Sequence, residues 1–253
     1  NCEYDTARAI ALSGGEPRIV VVRNLTPAAL TDTVAQMERE IREAQMIILP
    51  GGFSGGDEPD GSGKFIASFF RNPRLTDAVH DLLKQRDGLM LGICNGFQAL
   101  IKLGLVPFGE IVPMDDGCPT LTYNLIGRHQ SRYTTTRVAS VLSPWLMHCN
   151  VGDLHNIPVS HGEGRFVATD EMLSRLITNG QIATQYTDLL GNPSMDIACN
   201  PNGSMLAIEG ITSPDGRVLG KMGHTERAGQ FVGKNIYGQK YQPIFQAGVD
   251  YFK

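Results

Sequence analysis

An apolar run of strand character, Leu89-Met90-Leu91-Gly92-Ile93, ends in a turn built on one cysteine, and an amphipathic run from Phe97 to Leu103 follows. Gly92 and Gly96 stand two residues before and two after Cys94. A strand that breaks sharply into a helix around one nucleophile, with glycines on both sides, has the form of a nucleophile elbow. No other part of the chain constrains the fold as much, because the strand must lie inside a sheet and the helix must pack back onto it. The glycines permit a tight, strained turn and close backbone approach. The thiol is then set at a strand end above a helix N-terminus. That place lowers a thiol pKa and aims backbone N–H groups at developing negative charge. The competing reading is a buried Cys in an ordinary βα turn, since free Cys is among the most buried residue types. The paired glycines favour the catalytic reading.

Strand and helix alternate through the first half. Tyr4–Leu12 is periodic as a helix and stops at Gly14-Gly15. Arg18–Arg23 is a β-branched run that predicts a buried strand. Thr26-Pro27 supplies a cap and a first-turn proline, after which Leu30, Val34, Met37 and Ile41 share one helical face. Met46–Pro50 predicts the next strand, the loop Gly51–Gly56 follows it, and residues 74–85 are amphipathic. This order predicts an α/β fold with a doubly wound, mostly parallel, flavodoxin-like sheet. After about residue 120 the pattern changes, and the alternation over 123–141 predicts antiparallel strands. Further strands are expected at 157–160, 181–186, 205–211 and 218–222, with helices at 170–178 and 243–252 and a polar, Gly-rich stretch at 228–242. No repeat, low-complexity tract or linker divides the chain, so residues 1–253 read as one domain. An α/β domain that starts on a helix lacks the strand before it, so the chain is expected to be a fragment of a longer polypeptide.

A formal net charge of −4 gives no reason to expect nucleic acid or an anionic membrane as partner. No apolar run reaches the ~20 residues that span a bilayer. The five cysteines are scattered and form no CxxC pair, which suggests neither a disulfide framework nor a metal site and fits a reducing cytoplasm.

A nucleophilic Cys needs a base and a group that orients it. Two H-x-E pairs, His161/Glu163 and His224/Glu226, stand at expected strand ends. Residues two apart on a strand point to the same side, so either carboxylate can approach its own imidazole and complete a Cys-His-Glu triad. The residues alone leave both pairs open, although the glycines around His161 favour a flexible loop. His80, His129, His148 and His155 have no such context and read as solvated or structural. The loop Pro50-Gly51-Gly52-Phe53 also follows a strand, so its N–H groups and that of Asn95 can form an oxyanion hole at the shared sheet edge. No G-K-[ST] follows the loop, so it is not a Walker motif. The acidic run Asp57–Gly61 does not match calcium-loop spacing and reads as a solvated turn.

Pro50-Gly51-Gly52, the Gly92-x-Cys94-x-Gly96-x-Gln98 elbow and the late His224-x-Glu226 together resemble the class I (triad) glutamine amidotransferases. Asn1-Cys2-Glu3, Pro50–Ser54 with Gly56-Asp57, Gly92–Gln98, Pro158–Arg165 and His224–Arg227 narrow this further. They resemble the glutaminase of formylglycinamide ribonucleotide amidotransferase (phosphoribosylformylglycinamidine synthase), and the closing segment resembles that of the single-chain form. The resemblance implies Cys94 as nucleophile, His224 as base and Glu226 as its orienter. It implies backbone N–H groups near Gly52 and Asn95 as an oxyanion hole, with Gly51 and Phe53 beside them at the substrate, Gln98 as a contact for bound glutamine, and His161 in a loop near the glutamine site or the domain interface. Thr225 stands where this family usually has proline, which removes a φ lock and adds an N–H. The implied reaction is glutamine hydrolysis through a γ-glutamyl thioester in purine biosynthesis, in the cytoplasm. The implied partners are L-glutamine and a synthetase domain, upstream in the same chain or a separate subunit. No cofactor is implied for this domain; ATP and magnesium belong to the synthetase. The alternatives are another Cys-elbow hydrolase, either a γ-glutamyl peptidase or a glyoxalase-like protein, and a non-enzymatic glutamine-sensing module.

Overall fold

In the computed structural model, which describes residues 1–53 and 61–253, the first half runs α1 (Glu3–Leu12), α2 (Pro27–Glu43), β1 (Met46–Leu49), α3 (Lys64–Phe70), α4 (Pro73–Lys84), β2 (Leu89–Ile93), α5 (Asn95–Leu103) and the short α6 (Leu105–Phe108). The second half holds β3 (Thr120–Tyr123), β4 (Gln130–Val138), β5 (Leu154–His161), β6 (Glu163–Val167), α7 (Asp170–Thr178), β7 (Ile182–Tyr186), β8 (Ile208–Thr212), β9 (Val218–Lys221) and α8 (Ile244–Asp250). Ser54–Gly56 and the acidic run at 57–60 lie outside the described residues.

Seven strands form one sheet in the order β1-β2-β9-β8-β7-β4-β5. β1, β2 and β9 are parallel neighbours, and the remaining ladders are antiparallel. The α/β sheet with added antiparallel strands is thus as expected, with parallel pairing confined to the three strands that carry the elbow and its neighbours. β3 and β6 form a separate antiparallel pair. The elbow strand β2 is buried along its whole length, as a strand covered on both faces must be. The α2 cap forms as its sequence predicts: the Thr26 hydroxyl accepts from Ala29 N–H at 3.1 Å, with Pro27 at the first helical position.

The expected strand at 18–23 does not form. Its segment and β1 line the same cavity of about 650 Å³, to which Val20, Val22, Met46, Ile47 and Ile48 all contribute. β1 is an edge strand, and no ladder joins it to this segment. A β-branched run becomes a strand only when a neighbour takes up its backbone N–H and C=O groups. The strand expected at 205–211 begins later than predicted, because 205–207 is a 3₁₀ turn.

Candidate active site

β1, β2 and β9 run in the same direction, so their C-terminal ends share one sheet edge, and the site is assembled there. Cys94 adopts φ 54° and ψ −106°, a conformation that side chains avoid, between the end of β2 and the first turn of α5. Its N–H donates to the Lys221 carbonyl of β9 at 2.8 Å, and its own carbonyl accepts from Gln98 N–H at 3.0 Å. The two glycines are required by contact. A Cβ on Gly96 would lie 1.9 Å from the Leu49 carbonyl oxygen, and one on Gly92 would lie 2.5 Å from Leu100 Cδ1. Asn95 opens α5, which places its backbone at a helix N-terminus beside Cys94.

After β9 the chain turns through Gly223 and His224 into a single 3₁₀ turn, Thr225–Arg227. His224 Nδ1 and Glu226 Oε1 lie 2.6 Å apart, both side chains buried. The pairing therefore comes from a turn, not from the strand pleat that the spacing suggested. Bonding at Nδ1 fixes the ring and leaves the buried Nε2 without a hydrogen bond. A Cβ on Gly51 would lie 2.6 Å from His224 Cε1 and 3.2 Å from Cys94 Cβ, so only bare backbone fits beside the imidazole and the elbow. Burial alone would push the His224 pKa down, but the thiols of Cys2 and Cys94 and the Glu226 carboxylate hold it up at about 11. The imidazole therefore carries its proton at neutral pH. The stability this contributes is complete below pH ~6.5 and is lost as pH rises through about 11.

A family model for the CobB/CobQ-like glutamine amidotransferase domain matches residues 1–252. The chain belongs to this amidotransferase family. It is 35% identical over 239 residues to the phosphoribosylformylglycinamidine synthase subunit PurQ of Treponema denticola, covering 89% of this chain and 83% of that one. It is 34% identical over 230 residues to the subunit of the same name from Chlorobaculum tepidum, covering 91% and 85%. Among solved structures, that of PurLQS from Thermotoga maritima is similar with a TM-score of 0.69 and 26% identity, over 100% of this chain and 94% of that one.

The remaining predicted residues of this amidotransferase domain sit as follows. The main chain of Phe53 is bracketed by Asn1, whose side-chain oxygen accepts from Phe53 N–H at 3.3 Å and whose amide donates to Phe53 carbonyl at 3.1 Å. Gly52 has φ 103°, and a Cβ there would strike Asn1 at 2.5 Å. The Gln98 side chain donates to the Glu163 carbonyl, so it holds the start of β6 against α5. His161 is the buried last residue of β5, not part of a flexible loop. Its Nδ1 lies 3.0 Å from Asn124 Oδ1, whereas Glu163 accepts from Ser62 N–H at 3.0 Å, so the second H-x-E pair does not form. The preceding carbonyl, of Ser160, lies 3.7 Å from Cys94 Sγ, which brings the end of β5 to the thiol. The other histidines have structural partners where these are seen, as His80 accepts from Ile111 N–H at 2.9 Å and His148 bonds Asp250 at 2.9 Å.

Two groups were missed by sequence reasoning. Cys2 is fully buried, with Sγ 3.7 Å from His224 Nδ1 and accepting from Arg227 at 3.0 Å. Its only sequence signal was membership of the Asn1-Cys2-Glu3 segment. Lys221 and Glu209 form a buried ion pair at 3.3 Å inside two apolar strands. The donors of Cys2, His224 and Glu226 lie within 4.8 Å of one another. A metal held there would have to break the 2.6 Å His224–Glu226 bond, so the arrangement favours proton handling over metal binding.

Burial pushes His161 down to about pH 3, and the positive charge of His224 adds to the effect. The unfolded imidazole titrates near 6.5, so the folded state gains stability above that pH and loses it as pH falls from 6.5 towards 3. The loss is about 1.4 kcal/mol per pH unit. Denaturant unfolding at pH 7 and pH 5 is expected to show the native chain losing about 2 kcal/mol more than His161→Gln over that interval. Equal losses would mean that His161 takes up its proton in the folded state too.

Proposed function

We propose that this chain is the glutaminase half of phosphoribosylformylglycinamidine synthase, with Cys94 as nucleophile, His224 as proton carrier and Glu226 as its orienter. The observation that carries the reading is the 2.6 Å His224–Glu226 pair gathered with the strained elbow cysteine around Gly51. The relatives named as PurQ subunits support the assignment to purine biosynthesis and a partner subunit that performs the synthesis.

The protonated state of His224 sets the order of events. Cys94 attacks the carboxamide carbon of L-glutamine as a thiolate, forming a C–S bond. Backbone N–H groups around Gly52 and at Asn95 take the developing oxyanion. The C–N bond then breaks, His224 gives its proton to the leaving nitrogen, and ammonia departs. Neutral His224 next accepts a proton from water as the oxygen attacks the γ-glutamyl thioester. The C–S bond breaks, glutamate leaves, and the thiolate–imidazolium pair is restored. Glu226 stabilises the imidazolium and keeps Nε2 turned to the substrate. Ammonia passes unprotonated to the synthetase, where ATP and magnesium act; no cofactor is assigned to this domain. We place the reaction in the cytoplasm, in keeping with five free cysteines. Among the described residues no helix is long and apolar enough to cross a membrane.

The test measures glutamate release from L-glutamine with and without the synthetase subunit, alongside mass spectrometry after exposure to a glutamine-mimicking diazo-ketone. Release stimulated by the synthetase and a covalent label on Cys94 are expected. A labelled Cys94 with no release under either condition would assign the chain to another Cys-elbow hydrolase. Absence of any label would leave a glutamine-sensing module.

A further inference from the structure

Charged side chains are rarely fully buried, yet Lys221 and Glu209 are 1% and 0% exposed in the middle of the sheet. A buried ion pair adds little net stability over well-packed apolar residues, so its presence calls for another explanation. Its hydrogen bonds supply one. Glu209 accepts from Gly223 N–H at 2.6 Å, and its other oxygen accepts from the Thr184 hydroxyl. Lys221 Nζ donates to the Gly223 carbonyl at 3.0 Å and to Thr225 Oγ1 at 2.9 Å. The Thr225 hydroxyl itself donates to Gln242 Oε1 at 2.9 Å. The residues immediately before and after His224 are thus both clamped by one ion pair, and the His224 N–H is tied to the Pro158 carbonyl at 2.8 Å. The Lys221 carbonyl in turn accepts from Cys94 N–H at 2.8 Å. One residue therefore grips the elbow through its main chain and the imidazole turn through its side chain.

We infer that Lys221 and Glu209, with the Thr225 hydroxyl, are positioning residues that fix the His224 turn in register with the Cys94 elbow. The inference rests on the assignment of Cys94 and His224 to glutamine hydrolysis. Thr225 lacks the φ lock of proline, and the hydroxyl bridge between Lys221 and Gln242 supplies the restraint instead. Space at Gly223 is part of the device, since a Cβ there would lie 2.9 Å from Glu209 Oε1 and 3.2 Å from Lys221 Nζ.

The test uses the protein with its synthetase subunit and four forms: native, Thr225→Val, Thr225→Ser, and the double variant Lys221→Met/Glu209→Gln, which removes both charges together. Thr225→Val keeps the shape of threonine and deletes the hydroxyl. It is expected to lower kcat for glutamate release by about tenfold with the glutamine KM within about twofold, because binding does not require the imidazole and chemistry does. Thr225→Ser restores the hydroxyl and is expected to recover most of the loss. The double variant is expected to fall by about 100-fold in kcat, the scale of a small misplacement of a catalytic group. If the double variant fails to fold, the Val and Ser forms decide alone. Native kcat in Thr225→Val, equal losses in Val and Ser, or a loss confined to KM would each overturn the inference. Glutaminase that survives alkylation of Cys94 in the native protein would instead overturn the catalytic assignment beneath it.

Discussion

Cys94→Gly is expected to melt above Cys94→Ala, and both are expected to lose glutamate release by about 10⁴-fold or more. At an ordinary backbone position the order of melting is the reverse, because glycine costs roughly 0.5–1 kcal/mol relative to alanine. Here φ is 54° and ψ is −106°, where any Cβ is strained and glycine is not. The strain of such a residue is about 1–3 kcal/mol. Both variants delete the same buried thiol, so that loss cancels in the comparison and the strain outweighs the entropic cost of glycine. A net gain of about 1–2 kcal/mol corresponds to a few degrees, at roughly 2–4 °C per kcal/mol for a domain of this size. Differential scanning calorimetry of the two variants reads the difference directly. Cys94→Ala melting above Cys94→Gly would mean that the elbow stores no strain. The expected pattern, higher stability with no activity, is that of a site whose geometry is held by the surrounding fold against local preference.

Local signals were legible in the sequence wherever one segment carried the whole of the information. Gly92 and Gly96 announced the elbow because a turn that tight leaves no room for a Cβ, and both contacts are found. Thr26-Pro27 announced a helix start because the cap hydroxyl and the first-turn proline both act within one turn. The two H-x-E pairs were indistinguishable because their fates are decided elsewhere. His161 is claimed by Asn124, 37 residues away, and Glu163 by Ser62, 101 residues away. His224 keeps its own Glu226 because the chain bends there into a turn that Lys221, Glu209 and Pro158 hold. Cys2 reaches the site from 222 residues away, and no spacing rule finds such a group. The segment 18–23 has the composition of a strand, but a strand is a relation between two segments, and composition describes only one of them. Lys221 and Glu209 stood in plain view as charges within apolar runs, and that mismatch was the available signal for a polar network inside the sheet.

Gly96→Ala is expected to be strongly damaging, since its added methyl meets the shortest contact of any glycine among the described residues. On helix propensity alone the substitution should stabilise α5 by up to about 1 kcal/mol. The added Cβ would lie 1.9 Å from the Leu49 carbonyl oxygen, 2.6 Å from the Leu49 carbonyl carbon and 2.8 Å from its Cβ. Relief requires β1 and the start of α5 to separate by more than 1 Å, about the gap between that contact and an ordinary one of ~3.5 Å. Neither side yields easily. β1 is hydrogen-bonded to β2 along its length, and Gly96 is itself packed against Gly92. Overpacking of a side chain costs about 1–3 kcal/mol, and a clash with backbone on both sides sits at or above the top of that range. The melting temperature is therefore expected to fall by about 6–12 °C or more. Glutamate release is expected to fall by about 100-fold in whatever fraction stays folded, since the shift carries Cys94 and the first N–H groups of α5 away from His224. Gly162→Ala is the control: it lies in the turn between β5 and β6, close to the same site in sequence to His161, with nothing within 4 Å of an added Cβ and no positive φ. It is expected to melt within about 1 °C of the native chain. A Gly96→Ala protein that melts with the control would show that β1 and α5 are free to part, and that the elbow does not depend on their contact.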